Sequence, residues 1–194
     1  MEAMNRKVHD LKKHLNAIED KLTEEEIRSL REAVAVYDSN IKTGNTVLDT
    51  VLYENQLFCE KNGIRLSCLA DGSLLSFLSP THLYSLFSNA ISNAMEALLE
   101  VEDKERRLID ISVHPESDGT AIEISNYFSG PLIMKNGTPV STKKDPNKHG
   151  YGIASMRYIV SEYGGTLEFT ATEEDIFLLR ILFPAERKKI SEAA

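Results

Sequence analysis

The sequence predicts an α+β chain in which an N-terminal antiparallel helical hairpin precedes a separate α/β domain. Three observations carry this prediction. Residues 1–62 keep a heptad rhythm of apolar positions. From Ile64 the rhythm changes to short alternating runs divided by turn residues. A long stretch rich in Gly and Pro, residues 128–150, then separates these from a last helix and two closing strands.

In the first helix Met4, Val8, Leu11, Leu15, Ile18 and Leu22 are spaced 4, 3, 4, 3, 4. In the second, Ile27, Leu30, Val34, Tyr37 and Ile41 keep the same rhythm, and Leu48, Val51 and Phe58 stay in phase. Such seams pack as coiled-coil-like bundles. Thr23 followed by Glu26 forms a capping box, so the hairpin bends near Leu22 and Thr23. Gly44 and Asn55 fall on seam positions and mark a bend or a register-setting site. One hairpin cannot bury both seams, so a homodimer joined through the hairpins as a four-helix bundle is expected. Asn62-Gly63 ends the second helix.

Beyond it, Ile64–Leu69 reads as a strand and Asp71-Gly72 as a turn. Ser79-Pro80 opens a helix reaching about Glu100. Strands are expected at 108–114 and 120–126, with the turn Ser117-Asp118-Gly119 between them. A helix over 153–163 precedes Gly164-Gly165, and strands over 166–170 and 176–183 close the domain. The 128–150 stretch has no periodicity, and loops that long in compact domains are usually functional.

The formal net charge of −8 argues against a nucleic-acid surface, because phosphate backbones need a basic field. Cys59 and Cys68 belong to no CxxC pair or Cys/His cluster and read as free thiols of a reducing cytoplasm. No run approaches the ~20 apolar residues of a membrane span, and no signal peptide is visible. A cytoplasmic location is therefore expected, with any membrane-anchored sensor region lying outside this chain.

Three groups of residues could carry chemistry. His9 lies one position after Val8, beside the seam, with Asp10 next to it. A nucleophilic histidine needs one free nitrogen and a neighbour for the other proton, although an isolated histidine there also reads as a plain surface residue. On the 80–100 helix, Asn89, Asn93, Glu96 and Glu100 share a face at i, i+4, i+7 and i+11. That face is either solvated or an oxygen-rich bed for Mg²⁺ and polyphosphate. Asn repeats there without helix propensity to explain it. Finally, Lys148-His149-Gly150-Tyr151-Gly152-Ile153 runs into a helix whose N–H groups could meet phosphate, after a loop carrying Ser141-Thr142-Lys143-Lys144. A GxG pair alone is as often a simple turn.

Together these stretches resemble the sensor histidine kinases of the GHKL ATPase superfamily, and most closely the Agr-type quorum-sensing subgroup. The resemblance rests on four segments. His9-Asp10-Leu11-Lys12-Lys13-His14 is similar to the phosphoacceptor box, and Ile41 to Asp49 to the subgroup's second helix. Asn89 to Ala97 is similar to the N box. His149-Gly150-Tyr151-Gly152-Ile153 with Tyr163-Gly164-Gly165-Thr166 is similar to the second glycine box and the strand after it.

The resemblance implies a hairpin of dimerisation and histidine phosphotransfer over 1–62, a Bergerat-type α/β sandwich binding Mg²⁺ and ATP over 63–187, and a tail over 188–194. It implies that His9 is the phosphoacceptor, with Asp10 orienting or deprotonating it, and that a response-regulator receiver domain takes the phosphate. Asn93 matches the metal asparagine, Asn89 a polar group near the γ-phosphate, Gly150 and Gly152 with His149 the phosphate turn, and Lys143 the lid lysine. The usual DxGxG box appears as Asn126-Tyr127-Phe128-Ser129-Gly130, which gives Asn126 the base contact and lowers the expected ATP affinity. Lys13 stands where the phosphoacceptor box usually has Asn, a position that commonly tunes dephosphorylation of the partner. Two other readings compete: a non-catalytic phosphotransferase or scaffold with a degenerate nucleotide domain, and an ATP-hydrolysing GHKL machine. The latter needs a glutamate where Asn89 stands.

Overall fold

Secondary structure after residue 42 follows the alternation and the capping residues closely. The structure, a computed structural model, describes residues 42–135, 137–139 and 151–185. The chain divides into two units between Lys42 and Thr43. The hairpin residues upstream of Lys42, with His9 and Asp10, lie outside the described residues.

The second unit opens with α1 (Thr46–Lys61), capped by Asn45, whose side chain accepts from the Val47 and Leu48 N–H groups. Its buried stripe is Leu48, Val51, Leu52 and Cys59, and it packs against the next helix and the first strand. α1 thus lies in the same compact unit as the sheet. Gly44 at φ +86° and the extended Asn45 precede the helix, so α1 belongs with the sheet domain. Phe58, on the expected seam, is exposed, and its neighbour Cys59 is buried instead. Asn62-Gly63 ends the helix as expected, Gly63 adopting φ +65°.

Next come β1 (Arg65–Ala70), a short 3-10 turn (Gly72–Leu75), and α2 (Pro80–Leu99). β2 (Leu108–Glu116) and β3 (Gly119–Tyr127) form a hairpin, followed by a two-stranded ribbon, β4 (Met134–Lys135) and β5 (Thr138–Pro139). α3 (Tyr151–Glu162), β6 (Thr166–Ala171) and β7 (Ile176–Pro184) complete the unit.

The main sheet has the order β1-β2-β3-β7-β6. β1 runs parallel to β2, and the remaining pairs are antiparallel. Side chains alternate across a sheet, so register fixes which residues share a face. Three rows cross one face: Ala70, Val113, Ile122, Ile181 and Leu167; then Cys68, Ile111, Ile124, Leu179 and Phe169; then Leu66, Ile109, Asn126, Phe177 and Ala171. α2 lays Leu83, Leu86, Phe87, Ala90, Ile91, Ala94 and Leu98 into the core, meeting β2 and β3, while α3 packs on α2 and β6. The result is helices over a mixed sheet, an α+β sandwich. Asn126 is the one polar member of those three rows, on the central strand.

On the opposite face Arg180 grips Glu116 through both carboxylate oxygens at 2.6 and 2.7 Å and reaches Glu123 at 3.1 Å. These groups are partly exposed, so such pairs contribute little.

Neither cysteine is bonded to the other. Burial pushes both thiols from 9.0 up to about 11, with a smaller push from Glu60 on Cys59 and from Asp49 and Asp110 on Cys68. A thiol with a raised folded value keeps its proton longer when folded than when unfolded. Its contribution is therefore complete below pH 9 and is lost as pH climbs through about 11. Denaturant midpoints should fall between those two pH values, and a Cys59→Ala, Cys68→Ala chain should show a smaller fall.

Candidate functional site

The candidate residues lie on the middle of α2, at the start of α3 and at the end of β3. α2 begins where Ser79 accepts from the His82 N–H at 3.2 Å and Pro80 occupies its first turn. With its apolar stripe fixed against the sheet, Asn89 is left half-buried and Asn93 exposed one turn later. The Asn89 side-chain nitrogen donates to the Ser85 carbonyl at 2.7 Å and to its hydroxyl at 3.2 Å. That leaves the Asn89 Oδ1 directed at the first turn of α3. A side chain added at Gly152 would place its Cβ 3.2 Å from Asn89 Oδ1. Glycine at 152 thus lets α3 begin directly beside the asparagine. Ser85 and Ser155 Oγ atoms lie 3.4 Å apart, a second polar link between the two helices.

Asn126 lies at the end of β3 with 4% of its surface exposed. Its side-chain nitrogen donates to the Tyr127 carbonyl at 2.8 Å. Among the described residues, nothing donates to its Oδ1. A buried acceptor left without a donor costs about 1–3 kcal/mol, so the Asn126 oxygen calls for a donor from ordered water, a ligand or the chain beyond the described residues. The helix N-terminus of α3, beside Asn89 and Gly152, directs backbone N–H groups outward, an arrangement that favours an anion.

The structure brings Asn89 and Gly152 together and places Asn93 on the same helix. Lys143, His149 and Gly150 lie outside the described residues. Ser85 and Ser155 went unnoticed in the sequence, although Ser85 sits one turn before Asn89 on the same face. Among the described residues no group of three or more His, Cys, Asp or Glu side chains could hold a metal ion alone. A surface depression lined by Thr46, Val47, Thr50, Pro80, Thr81 and Tyr84 shares no residue with this site.

Residues 78–184, more than half of the 194-residue chain, match the family model described as the GHKL domain. The chain belongs to this family. All of Asn89, Asn93, Asn126 and Gly152 fall inside the GHKL domain, whereas α1 and β1 precede it in the same unit. Solved structures that share its fold include the following two. The nucleotide-free catalytic domain of histidine kinase ThkA is 18% identical with a TM-score of 0.53, over 73% of this chain and 93% of that one. The Acinetobacter baumannii histidine kinase AdeS is 16% identical with a TM-score of 0.50, over 91% of this chain and 94% of that one. At these identities the likeness is one of fold. No curated protein sequence matches the chain. Among the described residues of the GHKL domain and its flanks, no helix is long and apolar enough to cross a membrane.

Proposed function

We propose that this chain is the kinase portion of a two-component sensor histidine kinase of the Agr-type quorum-sensing subgroup. The observation that carries the reading is Asn126, buried on a GHKL sheet with an acceptor oxygen that no described residue satisfies. That oxygen would take the adenine amino group. Asn89, Gly150 and Gly152, with His149 and Lys143 earlier in the sequence, would hold the phosphates. Asn93 would ligate the Mg²⁺ that accompanies ATP, an ion that commonly takes one or two protein ligands and completes its shell with phosphate and water. Bound there, Mg²⁺ supplies neutralisation of the phosphate charge.

The phosphoryl acceptor would be His9. Its neutral imidazole nitrogen forms a bond to the γ-phosphorus as the bond from that phosphorus to the bridging β–γ oxygen breaks. ADP leaves with the electron pair, and the imidazole proton passes to Asp10. Positioning and charge stabilisation supply most of the rate in phosphoryl transfer. The phosphate then passes to an aspartate on a response-regulator receiver domain. The helical hairpin containing His9 would pair with that of a second copy, so the working unit is a homodimer. A sensor region outside this chain would anchor the kinase, with this portion in the cytoplasm.

One observation favours a second reading, a phosphotransferase or scaffold without catalysis. In the segment Asn126-Tyr127-Phe128-Ser129-Gly130, Phe128 stands where the DxGxG box has its first glycine, and Gly130 alone is kept. Calorimetric titration with Mg-ATP separates the two. Saturable heat supports the kinase, and no heat at high nucleotide concentration supports the scaffold.

A further inference from the structure

Thr43 is the first residue of the folded unit and only 7% exposed. Chain ends entering a domain fray unless they are tied down. Here the Thr43 N–H donates to Asp49 Oδ1 at 2.9 Å, and its hydroxyl donates to the same oxygen at 2.7 Å. Its carbonyl accepts from the Gly72 N–H at 2.7 Å. Asn45 Nδ2 donates to the Gly72 carbonyl at 3.3 Å. The next link inward is the Asp71 N–H, which donates to the Val113 carbonyl of β2 at 3.0 Å.

The fit at Gly72 is close. A Cβ there would lie 2.6 Å from Thr43 Oγ1 and 2.7 Å from the Asn45 Cβ. Both backbone sides of Thr43 are thus held, and the hold runs through the 3-10 turn into the sheet. Lys42, one residue earlier, is exposed. Asp49 sits in the first turn of α1, where the helix N-terminus favours a carboxylate.

We propose that the Thr43–Asp49–Gly72 cluster is a junction clamp that positions the upstream, phosphoacceptor-bearing segment for transfer from ATP bound in the GHKL domain. This rests on the histidine-kinase reading above. Thr43 and Asp49 are then positioning residues, acting through the chain that leads back to His9, since a small misplacement of reacting groups is costly in rate.

The test uses the full chain and the variants Thr43→Val, Asp49→Ala and Thr43→Ser. Limited trypsin digestion, read by the mass of the fragment starting at Thr43, reports the clamp without any kinase activity. Cleavage after Lys42 should quicken about tenfold or more in Thr43→Val and Asp49→Ala, the loss of one charge-assisted hydrogen bond, and stay slow in Thr43→Ser. In the same two variants Mg-ATP affinity should hold while labelling from ATP falls about tenfold or more, with Thr43→Ser restoring it. Unchanged cleavage would show that no clamp exists. Faster cleavage with undiminished labelling, or labelling and nucleotide affinity falling together, would overturn the positioning role. If the wild type binds ATP but takes no label while cleavage still responds, the kinase reading fails and the positioning role fails with it, leaving the clamp as a structural device.

Discussion

Asn126→Leu should weaken Mg-ATP binding about tenfold or more while leaving the thermal midpoint unchanged or higher. The two effects separate because of where Asn126 lies. Its row on the sheet runs through Ile109 and Phe177, so leucine at that place continues an apolar surface. The substitution also removes an acceptor that no described residue satisfies, a group that costs about 1–3 kcal/mol when buried without a donor. A purely structural asparagine would behave in the opposite way, since its loss would lower the midpoint. Nucleotide titration and thermal denaturation on the same preparation distinguish the cases. Undiminished affinity, or a midpoint that falls with it, removes Asn126 from the base pocket.

Phe183→Ala should be among the most destabilising single truncations in the domain. Phe183 is fully buried, and its ring meets Phe77 at 5.1 Å and Tyr163 at 6.2 Å, both edge-on. Tyr163 in turn accepts from the Ser79 N–H at 3.1 Å and shares a hydrogen bond with His82 Nδ1 at 3.0 Å. One ring therefore supports the start of α2 and the chain just after α3, the two helices that carry the site. Removing such a ring costs about 3–5 kcal/mol, a large part of the roughly 5–15 kcal/mol of a typical fold. The thermal midpoint should drop by about 10 °C or more. Nucleotide affinity should fall too, because the helix start and α3 lose their shared support. A shift of only a few degrees would mean the cluster repacks around the cavity.

Much of this fold is legible in the residues. Alternation marks the strands: Thr120, Ile122, Ile124 and Asn126 share a parity, and that pattern alone puts Asn126 on the covered face. Caps mark the helices, with Ser79-Pro80 opening α2 and Asn62-Gly63 closing α1. The break at Gly44 is masked by the heptad itself. Ile41 and Leu48 are seven residues apart, so the heptad phase runs straight across Gly44 and gives no sign of the turn there. What decides the matter is a long-range contact, the packing of α1 on α2 and β1, to which periodicity is blind. The same holds for Thr43, whose burial depends on a turn at Gly72 far along the chain. In the site, the types Asn89, Asn93 and Gly152 are visible, but not that Gly152 comes to rest against Asn89. Ser85 and Ser155 escape notice because serine on a helix face carries no periodic signal. The spacing from Asn89 back to Ser85 is the available clue.

The most direct test incubates the chain with γ-labelled ATP and Mg²⁺, then compares wild type with His9→Gln after acid and after base. Label on the wild type that is lost in acid, survives base and is missing from His9→Gln, with equal ATP affinity in both, is the expected result. No label on a nucleotide-binding wild type, or label that persists in His9→Gln, would contradict the proposed function.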